Sequence, residues 1–434
     1  MDKTYLNQCA LRRERVFDAI GTDGVAVLFA APEQRRSNDT FYPYRPDSDV
    51  YYLSGFDEPE AVLVLSGARR EAVLFCREKN PEREIWDGFR YGVDLAQEWF
   101  GFDRCASIGC LSNELAGCLQ GHRHLYALWN RYPQQEALLL QTWYGLRSSA
   151  ACAPQPTSCV DLRTVLHPLR LIKDACELDL LRRAAAISAQ GHLRAMRCTR
   201  PDMTEYQIEG EIACEFARHG ARQVAYASIV AGGKNACTLH YVNNQDTLRD
   251  GDLLLIDAGA EYGLYAGDIS RTFPVNGRFT AAQRELYQVV LAANKAVIAA
   301  ARAGVSYDFL GDLAAKILTQ GLLDLKLLSG SLSDHLSAKN YRRFYMHGFG
   351  HWLGLDVHDV GDRFADGQPV ILRENMCLTV EPGLYIPDEP DIPPQWRGVG
   401  IRIEDNIIIQ RDGAEVYTAD APKEIADIEA VMAA

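Results

Sequence analysis

Four short apolar runs, rich in β-branched and aromatic residues, punctuate the first third of the chain: Val25 to Ala30, Val50 to Leu53, Ala61 to Leu65 and Ala72 to Phe75. Turn residues bound each run, so the pattern predicts strands. Leu111 to Leu119 and Gln134 to Tyr144 carry helical spacing instead. Alternating strands and helices predict a small α/β domain. Ser148 to Ser158, small, polar and containing two prolines, marks the approach to its boundary.

Beyond that boundary the pattern turns strongly helical, then mixed. Asp174 and Glu177 open a long amphipathic run to Cys198 as a capping box, each side chain satisfying a free backbone N–H. Thr204 with Gln207 and Thr280 with Gln283 repeat the device, and Gly220 and Gly304 offer left-handed stops. A fourth helix is expected from Tyr307 through Leu318. The organisation expected is an N-terminal α/β domain over 1–165 and a larger α+β domain over 166–434.

Two later stretches can be laid over each other. Arg249 through Gly259 and Arg373 through Gly383 each place an Arg eight residues before an acid, Asp257 or Glu381. An apolar strand leads into each acid and Gly follows two residues on. Upstream, Leu239-His240-Tyr241 pairs loosely with Val357-His358-Asp359; downstream, Asp268 and Glu404 follow at strand-like places. The plain alternative is two unrelated strands ending in acids. The functional reading is a duplicated half-domain that brings one acid from each half to a shared centre.

Composition narrows the classes. At 47% hydrophobic and 24% charged, the chain is ordinary for a soluble protein, and 434 residues bury a large core without disulfides. Asp and Glu number 58 against 45 Lys and Arg, a net charge of −13, which disfavours a nucleic-acid partner. No apolar run reaches the ~18 residues of a membrane helix, and the first residues lack the apolar stretch of a secretory signal. Twelve scattered cysteines without C-x-x-C suit reduced thiols, so a cytoplasmic location is expected.

The chemistry concentrates in acids and histidines. Asp257 ends the apolar strand Leu253 to Ile256, and Asp268 follows eleven residues later, past a hairpin turn expected at Glu261-Tyr-Gly263. On that reading their strands lie side by side, about 5 Å apart. Two buried, unpaired carboxylates that close cost several kcal/mol each, and a divalent cation removes the conflict; one acid facing solvent from a turn is the bland alternative. Glu381 and Glu404 form a second pair. Alternation puts Arg402, Glu404 and Asn406 on one strand face, and the apolar Ile407 to Ile409 argues that this face is internal. Three of the ten histidines, His347, His351 and His358, crowd one glycine-rich stretch. Gly348 and Gly350 predict a loop or strand edge rather than a helix, and no H-E-x-x-H is present. A buried His is more often a hydrogen-bonded core residue than a ligand, so one or two of the three are expected on a metal. Four carboxylates with one or two imidazoles suit Mn²⁺ or Co²⁺ better than structural zinc, and carry charge enough for two ions.

At these residues the chain resembles the pita-bread-fold metallopeptidases, on the stretches IDAG, GDISRTFPV, HGFGHWLGLDVHD, TVEPGLY and GIRIED. Within them it is most similar to the aminopeptidase P (Xaa-Pro aminopeptidase) branch, on that histidine stretch, on Thr40 to Asp49 and on Tyr51 to Ala61. The resemblance spans nearly the whole chain. It implies a pita-bread catalytic domain with a pseudo-twofold repeat, preceded by a smaller α/β domain. It implies a dinuclear Mn²⁺ hydrolase, with Co²⁺ or Zn²⁺ as substitutes, that releases the first residue of peptides with proline second. The implied ligands are Asp257, Asp268, His351, Glu381 and Glu404, with Asp268 and Glu404 bridging. His240, His347 and His358 match histidines that surround the substrate, and Tyr226 and Arg402 match positions that orient Asp257. Trp86 matches a tryptophan that reaches a neighbouring subunit's site, so a homodimer or homotetramer is implied. Between Asp359 and Pro369 the chain departs from the family, at the place of a substrate-side arginine that Arg363 is the candidate to supply.

The chemistry is intelligible without the family. Two cations lower the pKa of a bridging water, a metal and a nearby His stabilise the developing oxyanion, and Glu381 moves the water's proton to the leaving nitrogen. A prolidase restricted to dipeptides shares these ligands and is the enzymatic alternative. A peptide-binding protein that has lost catalysis would lack some of them. Chelation should abolish activity and Mn²⁺ should restore it best. Full activity in protein shown to be metal-free by elemental analysis would contradict this reading.

Overall fold

A computed structural model describes residues 3–148 and 154–434. The middle of the expected boundary segment, 149–153, lies outside the described residues. The chain divides into two compact units, Met1–Leu169 and Arg170–Ala434. Among the described residues no helix is long and apolar enough to cross a membrane.

The first unit is built on a mixed six-stranded sheet, in the order Arg104–Ser107, Glu71–Cys76, Val62–Ser66, Gly24–Phe29, His124–Ala127, Ser158–Asp161. Three of the four expected strands are in it. Val25, Val27, Val64 and Phe75 pack against Leu115, Leu119, Leu139 and Trp143 of the helices Leu111–Leu119 and Pro133–Ser148. The fourth expected strand is a correction: Val50 to Leu53 lies in the helix Ser48–Ser54. The ends decide it against β propensity. Asp47 Oδ1 accepts the amides of Asp49 and Val50 at 2.9 and 3.0 Å. Gly55 closes the helix at φ +66°, a conformation glycine adopts freely. Buried Arg12 and Arg13 donate to the last carbonyls, those of Tyr52 and Leu53, at 3.0 and 2.9 Å.

The second unit repeats one plan. Helices Ala175–Cys198 and Glu205–Arg218 precede the first half's strands, and Ala281–Ala300 and Tyr307–Asp324 those of the second. The capping boxes at Asp174 and Thr280 are complete, and at Thr204 the Gln207 side chain accepts the Thr204 amide at 2.8 Å. The Tyr307 helix runs to Asp324, past the expected Leu318, as its apolar face (Leu310, Ala314, Leu318, Leu322) stays buried. In the first half, Leu253–Asp257 lies between Ile229–Gly232 and Ser270–Pro274. In the second, Cys377–Val380 lies between Asp405–Ile409 and the irregular segment 349–353, whose backbone it bonds through Thr379 N to His351 O and Leu353 N to Cys377 O. Each half thus centres on an apolar strand that runs into an acid.

The second half's ribbon splits where its acids stand. Cys377–Val380 pairs with Asp405–Ile409, and Gly383–Ile386 with Val399–Arg402, as two separate sheets. Glu381 and Glu404 occupy the two breaks. Pro382 has no N–H to give the ladder there. Behind Glu404, Asp405 is fully buried between Arg271 at 2.8 Å and Lys423 at 2.6 Å. Burial alone would raise its pKa; the two cations outweigh that and hold it at about 2. Removing one charge of a buried network costs about 3–5 kcal/mol. Asp405→Asn should therefore lower the unfolding free energy of this unit by that order. A loss below about 1 kcal/mol in denaturant unfolding would contradict the role given to the pair.

Candidate metal centre

Asp257 stands at the end of its strand, but Asp268 is not across from it as expected. Ser270 is the residue opposite Asp257. The expected hairpin forms about one residue further on, with Tyr262 opposite Tyr265, and the same register runs back through the Ala258 N to Ile269 O bond to Ser270, so Asp268 faces Gly259, two residues from Asp257. The approach there is tight: a Cβ on Gly259 would sit 1.7 Å from the Gly267 carbonyl oxygen. Asn406 fixes Asp268 at this place, its Oδ1 accepting the Asp268 amide at 3.0 Å and its Nδ2 donating to the Asp268 carbonyl.

The histidine stretch is a loop running into a strand edge, as the glycines predict. A Cβ on Gly350 would meet the Thr379 carbonyl oxygen at 2.0 Å, so only glycine lets the segment lie against Cys377–Val380. That approach sets His351. Its backbone N–H donates to Thr379 Oγ1 at 3.0 Å, and its ring Nδ1 donates to its neighbour's carbonyl, Trp352 O, at 2.9 Å. Nε2 is thereby turned to the acids, 3.3 Å from Asp268 and 3.7 Å from Glu381. A carbonyl on Nδ1 is the usual partner of a histidine that binds metal through Nε2.

Ligand atoms of Asp268, His351 and Glu404 all lie within 4.8 Å of one another. Asp268 is 4% exposed and Glu404 2%. Asp257 and Glu381 join them on the wall of a cavity of about 610 Å³. The electrostatics show what the arrangement lacks. Burial first, and the neighbouring acids second, raise the pKa of Glu404 well above the carboxylate range. Burial likewise raises Asp268, and pushes Glu381 up to about 7 despite His351 and Arg402. Burial alone would lower His351, but Asp268 and Glu381 outweigh it and push it up to about 9. The Tyr226 hydroxyl lies 2.5 Å from both Asp257 Oδ1 and Asp268 Oδ1. One phenol proton serves only one of them, so the pair needs further positive charge. An oxygen-rich donor set with one imidazole and a deficit of positive charge fits a hard or borderline divalent cation.

The other site residues fall around this group. Arg402 Nη2 reaches Asp257 Oδ2 at 2.7 Å, Nη1 the Tyr385 hydroxyl at 2.9 Å, and Nε Ser270 Oγ at 2.8 Å. The Ser270 hydroxyl in turn donates to Glu404 Oε2 at 2.7 Å. Tyr385 and Ser270 escaped the sequence reading. Both stand in stretches that carry the resemblance, Ser270 in GDISRTFPV and Tyr385 in TVEPGLY, and were available to it. His347 Nδ1 donates to the Gly348 carbonyl at 2.7 Å, so Nε2 accepts from Tyr385 at 2.8 Å. Burial and Arg402 lower its pKa to about 4, so the ring is neutral at pH 7. His358 packs edge-on to His351 with ring centroids 4.3 Å apart. Asp359 is not its partner: that carboxylate is committed to Arg170 at 2.5 Å and Lys173 at 2.7 Å. His240, His358 and Arg363 line the cavity, and the Arg363 guanidinium also lies 5.4 Å over the Tyr307 ring. Trp86, on the first unit's short helix Pro81–Asp87, is 84% exposed.

Comparison with known proteins agrees over the whole chain. Residues 179–411 match metallopeptidase family M24, and residues 9–126 match the aminopeptidase P N-terminal domain. The chain is 45% identical to the Xaa-Pro aminopeptidase of Haemophilus influenzae, covering 97% of this chain and 96% of that one. It is 44% identical to the Xaa-Pro aminopeptidase of Escherichia coli, covering 98% and 97%. Among solved structures, it is similar to proline aminopeptidase P II from Yersinia pestis, with a TM-score of 0.96, 45% identity and 99% of each chain covered. It is equally similar, at 0.96 and 44% identity over 99% and 98%, to zinc-substituted E. coli aminopeptidase P in complex with product.

Asp268→Asn should lower metal occupancy sharply, because Asp268 lies within the tightest donor group. Asp252→Asn, just before the far end of the same strand from Asp257, should leave occupancy near wild type. Equal metal loss in both variants, by elemental analysis, would refute the placement.

Proposed function

The chain belongs to metallopeptidase family M24, and from that premise we propose that it is a metal-dependent aminopeptidase removing the N-terminal residue from peptides with proline second. One observation carries the reading: a buried carboxylate–imidazole group, deficient in positive charge, on the wall of a peptide-sized cavity. The extent of identity to Xaa-Pro aminopeptidases supports it.

We assign two divalent cations, Mn²⁺ before Co²⁺ or Zn²⁺, to Asp257, Asp268, His351, Glu381 and Glu404, on the oxygen-rich donor set. When bound, such ions acidify water and polarise a carbonyl. The protein's own groups do the rest. Glu381, on the cavity wall beside His351, is placed to take a proton from water and release it to the leaving nitrogen. That nitrogen, in an Xaa-Pro bond, carries no hydrogen before cleavage, so the enzyme must supply one. His240 and His358, facing the cavity, are placed to donate to the oxygen that becomes an oxyanion. His347 is held neutral and oriented by Tyr385. Arg402 and Tyr226 keep Asp257 turned inward. Arg363 at the rim suits the substrate's far end. The exposed Trp86, beside an 81% exposed Ile85, suits burial against another subunit in a homodimer or homotetramer. The division into 1–165 and 166–434 and a cytoplasmic location complete the proposal.

The metal-loaded protein should release the first residue from both Xaa-Pro and Xaa-Pro-Pro peptides. An intact tripeptide beside a cleaved dipeptide would make it a strict dipeptidase. Within the active enzyme, His358→Ala should cost about 10²–10³-fold in kcat with metal content retained, whereas His351→Ala should lose metal. Near wild-type kcat in His358→Ala would remove that residue from the mechanism.

A further inference from the structure

We propose that Glu205 is a positioning residue for His240, acting through the segment 232–246. The inference rests on the proposed function only in taking His240 as a group that touches substrate. Glu205 is the first residue of the helix Glu205–Arg218 and is fully buried. It does not line the cavity. Its carboxylate offers about four acceptor sites, and four donors meet it. Oε1 accepts the Gly232 amide at 2.8 Å and Asn235 Nδ2 at 3.0 Å. Oε2 accepts the Tyr241 hydroxyl at 2.8 Å and the Asp246 amide at 2.9 Å.

All four donors belong to the one segment that leaves the strand Ile229–Gly232 and carries Leu239, His240 and Val242 into the cavity wall. Gly232 stands at its start and Asp246 at its end, so one carboxylate ties both ends. The Glu205 amide donates back to the Asp246 carbonyl at 3.0 Å. Tyr241 is the telling contact. Its neighbours on either side, His240 and Val242, face the cavity, while its own hydroxyl is drawn the other way to Glu205. Fixing Tyr241 therefore fixes the direction in which His240 projects. Asn244 adds a second hold, accepting the Val230 amide at 3.0 Å and donating to the Ser228 carbonyl at 2.9 Å. Asn at φ +49° suits that left-handed turn. Between these anchors a short 3₁₀ helix, Gly233–Cys237, gives way to irregular chain, with His240 itself exposed at the rim. Ala236, Leu239 and Tyr241 pack on one side of the segment, and the polar anchors fix its two ends.

Glu205→Gln places an amide NH₂ against donors and weakens every bond to the site. Charge-assisted bonds lost in this way are worth about 10- to 100-fold. In the metal-loaded enzyme, kcat on an Xaa-Pro-Pro peptide should fall about 10-fold or more, with metal content unchanged. In a His240→Ala background the same substitution should cost less than about 2-fold, because its effect passes through a side chain no longer there. Tyr241→Phe, which removes one donor and keeps the ring, should cost about 2- to 5-fold with the same dependence on His240. It carries the test if Glu205→Gln does not fold. Independently of activity, hydrogen exchange across 232–246 should quicken in both variants while the helix Ala175–Cys198 keeps its protection. Three results would overturn the inference: kcat within 2-fold of wild type, a full penalty persisting without His240, or unchanged exchange in the segment. A wild-type enzyme inert on Xaa-Pro peptides would count against the proposed function alone, since the exchange result still decides the Glu205 anchor.

Discussion

Mutual repulsion among four carboxylates governs the second unit. Asp268 and Glu404 are almost fully buried, with Asp257 and Glu381 on the same wall, and burial disfavours the charge of Asp268, Glu381 and Glu404. Local cations do not cancel this. Arg402 is spent on Asp257, Tyr385 and Ser270, and His351 alone faces Asp268 and Glu381. A fold that concentrates negative charge on buried side chains stores a demand for cations, and that demand is what a hydrolytic metal site requires.

The backbone holds the acids together against that repulsion by leaving its ladders at the right places. Glu381 and Glu404 stand in paired strand breaks, and Asp268 opposite Gly259 in the corresponding gap of the first half's hairpin. Behind them lies a second, balanced layer: Asp405 with Arg271 and Lys423, and Asp359 with Arg170 and Lys173. The contrast is physical. Asp405 and Asp359 are held below the ordinary carboxylate range by cations that outweigh their burial, whereas Asp268, Glu381 and Glu404 are pushed above it. Rigidity comes from satisfied charge, and affinity for metal from unsatisfied charge.

Much of this was legible in the sequence. Capping boxes at Asp174, Thr204 and Thr280 mark three helices because their signal is local and chemical. The parallel between Arg249–Gly259 and Arg373–Gly383 exposes the repeated plan, since each half needs an apolar strand delivering an acid. What could not be read is what depends on contacts far along the chain. Val50 to Leu53 is helical because Arg12 and Arg13, some 40 residues away, bond its carbonyls. Asp268 is held at its amide and its carbonyl by Asn406, 138 residues away. Ser270 and Glu205 join the site through partners 27 to 134 residues distant, so neither role follows from the local stretch in which the residue stands.

Anomalous diffraction at the manganese edge, from crystals of the Mn²⁺-loaded protein, tests the central claim most directly. The account predicts two peaks about 3.5–4 Å apart, enclosed by Asp257, Asp268, His351, Glu381 and Glu404, with Asp268 and Glu404 touching both. A cavity without anomalous density in fully active protein, or manganese bound only elsewhere, would contradict it.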